Sequence, residues 1–441
     1  MSKSTRPRPI RSHEQLLPLL SRDYNQSLLA YSLESRRFDA EANRSKREFW
    51  GAHIPQISGK LDPSMIFWAD WFIYCRPLKT GLTPLQTFIK AYQSQLSPDD
   101  GVEYNAAAYR KLEQSVFGVF QVEQVQRDQS VTVRDLCGDQ VYVVAEKRAT
   151  HQVKAGFIIS AHILPLPDNW RFTGALAPWP SGLKAYIPLY VDELARRGSG
   201  PGSVGYVPAL ERARRSAYLE TSDPRRLEQM KALYQHGRDG WDLARKLLQP
   251  MLEAEPFNPV VNFYFGLLNP QDPVEMERRL RLAQAVESDL TGPWGESIDS
   301  HLVFALRGQH RYDEAIEIYR RMMRHDPDDS SSYFNLAQLL MQLKREDEAE
   351  ELYRQAIGRF HGDHWGHYLL GVLLQKRGQA DQAREQYVLA LQKAYWQLQR
   401  WPDCIDVEIV EEMEGALRKV GGDPASVPPY KPGLWNLLGH K

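Results

Sequence analysis

The sequence predicts a mostly α-helical protein: a superhelix of repeated helical hairpins, preceded by a helical segment and a small antiparallel β-barrel or β-sheet module. Three observations predict this fold class. Similar phrases recur at a constant spacing in the C-terminal half, short Val- and Phe-rich stretches follow one another between residues 113 and 197, and a Gly/Ser-rich stretch separates these two parts. A sequence period of about 20–50 residues is typical of stacked repeat architectures.

Composition excludes several classes of protein. The chain has 441 residues, of which 42% are hydrophobic and 25% charged, as in ordinary soluble proteins. At about 150 residues per domain, we expect two or three domains. The formal net charge of -1 gives no overall field that attracts nucleic acid. The 3 cysteines are too few and too scattered for a disulfide framework, so a reducing compartment is expected.

The apolar segments predict neither a signal peptide nor a membrane span. The first twenty residues are basic, but no long apolar stretch follows them. The most apolar windows, 65–75 and 156–166, are too short to cross a bilayer. We therefore expect a cytoplasmic protein without a membrane anchor.

Residues 1–112 are predicted to form an N-terminal helical region. Leucines and tyrosines between Leu16 and Tyr31 recur at helical spacing. Thr83 followed by Pro84 is typical of a helix start, with Thr83 as the N-cap and the helix running through Ala91.

Residues 113–197 are predicted to form the small β-rich module. Short strands are expected between Gly- and Asp-containing turns. Small barrels can bind single-stranded nucleic acid through aromatic residues beside cations. Alternation instead places most of the aromatic residues in the core, so we expect no nucleic-acid partner. A nucleic-acid-associated protein that uses this module and the basic helix 212–226 remains the alternative. The aromatic residues concerned are Phe117, Phe120, Tyr142 and Phe157.

Several phrases of this module resemble the N-terminal region of uncharacterised bacterial proteins. The matching phrases are FGVFQV at 117–122, RDLCG at 134–138, VYV at 141–143 and KAGFIISA at 154–161. Some of those proteins end in a Cys-rich SEC-C zinc motif. This chain ends without such cysteines, so the resemblance implies a bacterial protein but transfers neither a metal site nor an activity.

Residues 198–205, which read GSGPGSVG, are predicted to be a Gly/Ser linker. So many glycines and serines favour a flexible connection. A phosphate-binding loop is the alternative, but the Lys followed by Ser or Thr that it requires is missing.

The repeats occupy residues 206–400 and are clearest over 296–395. The phrases YDEAIEIY, EDEAEELY and ADQAREQY begin at the equally spaced positions 312, 346 and 380. Each phrase places an alanine one helical turn before a tyrosine, on one helical face. The pairs are Ala315 with Tyr319, Ala349 with Tyr353, and Ala383 with Tyr387.

This pattern resembles the tetratricopeptide repeat. The resemblance implies helical hairpins that stack because one hairpin cannot bury its own apolar face. It also implies a concave groove formed by the first helix of each hairpin, where aromatic residues suit a peptide or protein partner. The capping segments are the alternative occupants of this groove. The candidate groove residues are Phe304, Arg307, Phe334, Gln338, Met341, Trp365, Tyr368 and Lys376.

Two further predictions concern the repeats and the segment that follows them. Of the residues that clamp a carboxylate in some members of the family, only Asn335 matches, so such a clamp is not expected. Residues 401–441 are predicted to be a capping helix and a Pro/Trp-containing tail. Its residues Trp435 and Leu437 are expected either to fold back on the repeats or to dock on a partner.

Candidate chemical sites are few. His361, His364 and His367 form the one histidine cluster, which could bind a metal, but packing at a repeat start explains them better. Cys137 with His151 is a conceivable nucleophile pair. Common hydrolase, zinc-protease, calcium and dinucleotide motifs are missing from the sequence. We therefore expect no cofactor, no metal and no enzymatic activity. The predicted function is a protein-binding adaptor, with an unrecognised enzyme in the N-terminal region as a further alternative.

Overall fold

The computed structural model describes residues 28–34, 37–50, 63–92, 106–166, 169–218, 223–235, 238–291, 296–361, 363–401, 405 and 407–428. The chain divides into two compact units, residues 1–298 and 299–441. The predicted helix that begins at Leu16 lies largely outside the described residues, and so do Trp435 and Leu437 of the tail.

The first unit begins with helices, as predicted. They are a π-helix at Ala30–Glu34, α1 at Asp39–Trp50, α2 at Pro63–Asp70, a second π-helix at Trp71–Cys75, α3 at Pro84–Tyr92, α4 at Ala106–Lys111 and a 3₁₀ helix at Leu112–Gln114. The start of α3 is a capping box. The Gln86 N–H donates to Thr83 Oγ1 (3.2 Å), and the Thr83 N–H donates to Gln86 Oε1 (3.0 Å). The predicted N-cap is therefore confirmed.

The predicted β-module is a closed five-stranded barrel. Its strands are β1 (Val116–Gln126), β2 (Ser130–Asp135), β3 (Val141–Val144), β4 (Ile158–Pro165) and β5 (Trp170–Trp179), in the order β1-β2-β3-β5-β4. Four of the five strand pairings are antiparallel, as predicted, and one is parallel. Strands β3 and β5 are parallel where Val144 meets Trp170, because β4 lies between them in the chain and reverses direction. This is the strand order of an OB-fold.

Six helices follow the barrel, after a 3₁₀ helix at Ser181–Ala185. They are α5 (Tyr186–Arg196), α6 (Tyr206–Ser216), α7 (Pro224–Gln235), α8 (Arg238–Ala254), α9 (Pro259–Leu267) and α10 (Pro273–Val286). One hydrophobic cluster contains residues of α1–α4, of β1, β4 and β5, and of α5 and α6. The predicted boundaries at residues 112 and 197 therefore fall inside a shared core.

The Gly/Ser segment 198–205 forms turns packed between α5 and α6, which differs from the flexible linker that was predicted. Gly198 and Gly202 have positive φ angles. A Cβ on Gly200 would lie 2.7 Å from Ala195 Cα. The Trp71 indole N–H donates to the carbonyl of Val204 at 2.8 Å. These glycines are needed for backbone conformation and close approach.

The second unit contains the repeated hairpins, formed by α11 (Ile298–Gly308), α12 (Tyr312–His325), α13 (Ser330–Gln342), α14 (Glu346–Arg359), α15 (Trp365–Lys376) and α16 (Ala380–Arg400). The predicted cap is α17 (Val407–Lys419), and a 3₁₀ helix follows at Pro424–Ser426. Helix α13 packs against α14, α14 against α15, α15 against α16, and α16 against α17. Within the described ranges, no helix has both the length and the apolar character to cross a membrane.

Equivalent residues of the three hairpins lie in equivalent surroundings, which confirms the repeat. Ala315, Ala349 and Ala383 are each 0% exposed, and their partner tyrosines are at most 5% exposed. The turn within each hairpin also repeats. His310, Lys344 and Gly378 occupy the same position of successive hairpins, and all three have positive φ angles between 59° and 76°.

Substitution of Gly200 by alanine tests the packed-turn interpretation. We expect Gly200→Ala to lower the free energy of unfolding by about 1–3 kcal/mol, because its Cβ would overlap Ala195. Gly358→Ala is the matched control. Gly358 lies inside α14 with open space around its Cβ, so this change should stabilise the protein by up to about 1 kcal/mol. Chemical denaturation measures both changes, and a stabilised Gly200→Ala protein would contradict the interpretation.

Candidate peptide-binding groove

One repeat position on the first helices of the hairpins carries three exposed side chains, of which two are apolar. Phe304 on α11, Gln338 on α13 and Val372 on α15 are each separated by one repeat period, and all three are exposed. Phe304 is 55% exposed and Val372 is 39% exposed. We call these three residues the groove stripe. Sequence reasoning missed Val372, although the period from Phe304 through Gln338 leads directly to it.

Two predicted cations lie beside the stripe and are engaged with neighbouring hairpins. The Arg307 guanidinium donates to Gln342 Oε1 at 3.1 Å, which joins the first hairpin to the second. The Lys376 ammonium donates to Glu346 Oε1 at 2.6 Å, which joins the third hairpin to the second. This contact, with a second from Arg377, lowers the pKa of the Glu346 carboxyl. The contacts are exposed, so they orient side chains more than they stabilise the fold.

Two predicted groove residues, Phe334 and Tyr368, are buried instead of exposed, at 8% and 7%. The Phe334 ring packs against the start of the next hairpin, where a Cβ on Gly366 would lie 3.4 Å from the ring. The Tyr368 hydroxyl donates to Glu412 Oε1 of the capping helix at 2.7 Å. Capping therefore covers part of the predicted surface. The remaining two candidates, Met341 and Trp365, are half-buried.

The histidine cluster packs within the third hairpin. His364 Nδ1 lies 2.8 Å from Gln397 Oε1, and His367 Nδ1 lies 2.9 Å from Gln386 Oε1. Burial lowers the pKa of both imidazoles. His361 contributes its backbone carbonyl to Lys393 Nζ. In the part of the chain that the structure describes, no group of three His, Cys, Asp or Glu side chains is placed to hold a metal ion.

Most of the aromatic residues of the β-barrel pack in or against a hydrophobic core, as alternation predicts. Phe120 lies in the barrel core, with the Tyr142 ring 5.9 Å away and edge-on to it. Phe117 packs edge-on to Phe67 of α2, whereas Phe157 is exposed. On the outer side of β2 and β3, the described side chains are Thr132, Arg134, Val141 and Val143.

The predicted basic helix 212–226 is interrupted. Helix α6 ends at Ser216, and α7 begins at Pro224. Arg214 is buried and forms an ion pair with Glu211 at 2.7 Å. The arginines of this segment therefore do not form one continuous basic surface.

The structure separates Cys137 from His151. His151 Nε2 lies 2.7 Å from Asp128 Oδ1. Cys137 is an exposed residue of the β2–β3 turn, and partial desolvation of its thiol together with the Asp135 carboxylate raises the thiol pKa to about 12. A thiol with so high a pKa stays protonated at neutral pH and is a poor nucleophile.

Stacked hairpins with a periodic exposed stripe define the C-terminal unit as a helical-repeat scaffold. Residues 306–364 match the family model of the tetratricopeptide repeat. This stretch, which spans the second hairpin and the adjoining parts of its neighbours, is therefore similar to the tetratricopeptide repeat.

Solved tetratricopeptide-type structures resemble part of the chain. MamA from Desulfovibrio magneticus RS-1 is 13% identical, with 40% of this chain and 99% of that chain covered and a TM-score of 0.33. PilF from Pseudomonas aeruginosa is 19% identical, with coverage of 44% and 90% and a TM-score of 0.30. A tetratricopeptide protein from Thermus thermophilus is 18% identical, with coverage of 45% and 100% and a TM-score of 0.31. Among curated proteins, no sequence matches the chain.

Acidification should destabilise the protein through the third hairpin. Because the folded-state pKa values of His364 and His367 are lowered, the unfolded chain binds more protons at mildly acidic pH. The stabilisation is present above the unfolded pKa of about 6.5 and is lost as the pH falls through the folded pKa. The charges of two nearby residues also act on the pKa values of both histidines: Lys393 lowers them and Asp363 raises them.

The measurement is the free energy of unfolding at about pH 7.5 and about pH 5.5. His367→Gln should reduce the difference between the two values, whereas His325→Gln, at an exposed position of α12, should leave it unchanged. If the wild type, His367→Gln and His325→Gln showed the same pH dependence of unfolding, the buried histidines would not be its cause.

Proposed function

We propose that the chain is a non-enzymatic adaptor whose groove stripe binds an extended peptide segment of a partner protein. The observation that carries the proposal is the exposure of Phe304. A ring that is 55% exposed at a regular repeat position leaves apolar area in water that a ligand side chain can cover.

The chemistry of the stripe supports an extended peptide. Phe304 and Val372 offer apolar contacts in the first and third hairpins, and the Gln338 amide lies at the equivalent position between them. A primary amide can both donate to and accept from a peptide backbone. Apolar anchors on either side of a hydrogen-bonding group suit a segment with two separated apolar side chains.

The neighbouring contacts support a groove that is ordered before the ligand arrives. The Arg307–Gln342 contact connects the first helices of the first two hairpins, and the Lys376–Glu346 contact connects the first helix of the third hairpin to the second helix of the second. A surface that is already ordered loses less conformational entropy on binding. The unit formed by residues 1–298 would then supply a second contact to the partner.

The affinity of a selected peptide tests the groove stripe. Selection from a random peptide library on the purified full chain should enrich sequences with two spaced apolar residues. Phe304→Ala combined with Val372→Ala should weaken their binding by at least about tenfold, as measured by fluorescence anisotropy, because both apolar contacts are lost.

Leu389→Ala is the control for this experiment. Leu389 is 37% exposed, a fraction similar to the 39% of Val372. It lies on α16, the second helix of the third hairpin. Its substitution should leave the affinity unchanged. Failure to enrich any peptide, or equal binding by the double variant and the wild type, would refute the proposal.

A further inference from the structure

An apolar cavity in the first unit ends in a buried carboxylate. The cavity has a volume of about 260 Å³ and lies between the two π-helices, α2 and β5. Its described walls are apolar or aromatic, with Leu33, Met65 and Tyr74 among them, apart from Asp70 and Thr173. We infer that this cavity binds a small molecule that has an apolar body and one primary ammonium group. The inference does not depend on the proposed peptide groove.

Both π-helices contribute to the cavity wall. Leu33 belongs to Ala30–Glu34, and Ile73 and Tyr74 belong to Trp71–Cys75. Asp70 is the residue directly before the second π-helix. π-helices are rare, because their hydrogen bonding is less favourable than that of an α-helix, and they occur often at functional sites. Two of them around one cavity indicate a wall that is shaped for a ligand.

The polar end of the cavity has unused hydrogen-bonding capacity. Asp70 is 6% exposed. Its Oδ2 accepts from the Thr173 hydroxyl at 2.5 Å and lies 3.4 Å from His162 Nδ1. Its Oδ1 has no hydrogen-bond partner among the described residues. His162 is 1% exposed, and the structure gives neither ring nitrogen a hydrogen bond. The two His162 nitrogens are buried, and buried polar groups are costly without partners.

The charge of Asp70 determines the class of ligand. Arg76, the next cation along the chain, forms ion pairs with Glu48 at 2.6 Å and with Glu41 at 3.5 Å. It is therefore already neutralised by other carboxylates. An ammonium group would supply both the positive charge and a hydrogen-bond donor to Oδ1. The Tyr74 ring in the wall also favours a cation, whereas the Trp68 ring already has Lys46 Nζ 5.0 Å from its centroid.

The size of the cavity limits the ligand. Pockets for drug-sized ligands measure about 300–1,000 Å³, so a cavity of about 260 Å³ suits a smaller molecule. Phenylethylamine has a suitable shape, since one ring can occupy the apolar part while the ammonium reaches Asp70. It serves as a probe of the ligand class.

Calorimetry on the full chain with three probes tests the inference. The probes are 2-phenylethylamine, 2-phenylethanol and 3-phenylpropionate, which share an apolar body and differ in charge. We expect the amine to bind at least about tenfold more tightly than the alcohol, and the carboxylate not to bind, because Asp70 repels it. No binding of the amine, or equal affinity for the amine and the alcohol, would overturn the inference.

Substitutions locate the site. Asp70→Asn keeps the side-chain size and should abolish the preference for the amine over the alcohol. Asp139→Asn, at an exposed aspartate of the β2–β3 turn, should keep it. Ala69→Leu narrows the cavity and should weaken the binding of both the amine and the alcohol. If Asp70→Asn does not fold, the amine affinity of Ala69→Leu tests the location of the site instead. An unchanged amine affinity in Ala69→Leu, or an unchanged amine preference in Asp70→Asn, would place binding elsewhere and overturn the inference.

Discussion

The second unit depends on the burial of an apolar face that no single hairpin can cover. Each hairpin places a small residue and an aromatic ring at its helix crossing, and the next hairpin completes the enclosure. The third hairpin shows how tight this contact is, because a Cβ on Gly371 would lie 2.7 Å from the Tyr387 ring. Because these contacts recur, equivalent residues of successive hairpins occupy equivalent places in the stack. The same packing that buries Ala349 and Tyr353 leaves Gln338 facing outward.

In the first unit, apolar surface is buried by helices that pack against a closed β-barrel. A closed barrel satisfies its own strand edges, but its outer side still carries apolar residues that helices must cover. Buried polar contacts then specify which helices do so. The Ser64 hydroxyl donates to Glu211, which also binds Arg214, and so α2 is joined to α6. A buried ion pair contributes little net stability, but a mispaired one is costly, so such contacts favour one arrangement of the helices.

The two candidate sites expose apolar surface in different ways. The groove stripe is open, periodic and built by packing that also stabilises the repeats, so it suits a long and adaptable ligand. The cavity beside Asp70 is a small, partly open pocket that ends in one charge, so it suits a small ligand with one polar group. Arginine and glutamate pairs such as Arg377 with Glu350 connect successive hairpins without closing the stripe.

The sequence by itself determined the repeats, the start of α3 and most strands of the barrel, because period, capping and turn chemistry are local properties. It could locate Phe304 and Gln338 at an exposed repeat position, since that position recurs with the hairpin. Tertiary structure alone decided that Phe334 and Tyr368 are covered, that the Gly/Ser segment is packed, and that His162 meets Asp70. These outcomes depend on which distant elements come together, and neither residue spacing nor composition encodes such contacts in a single sequence.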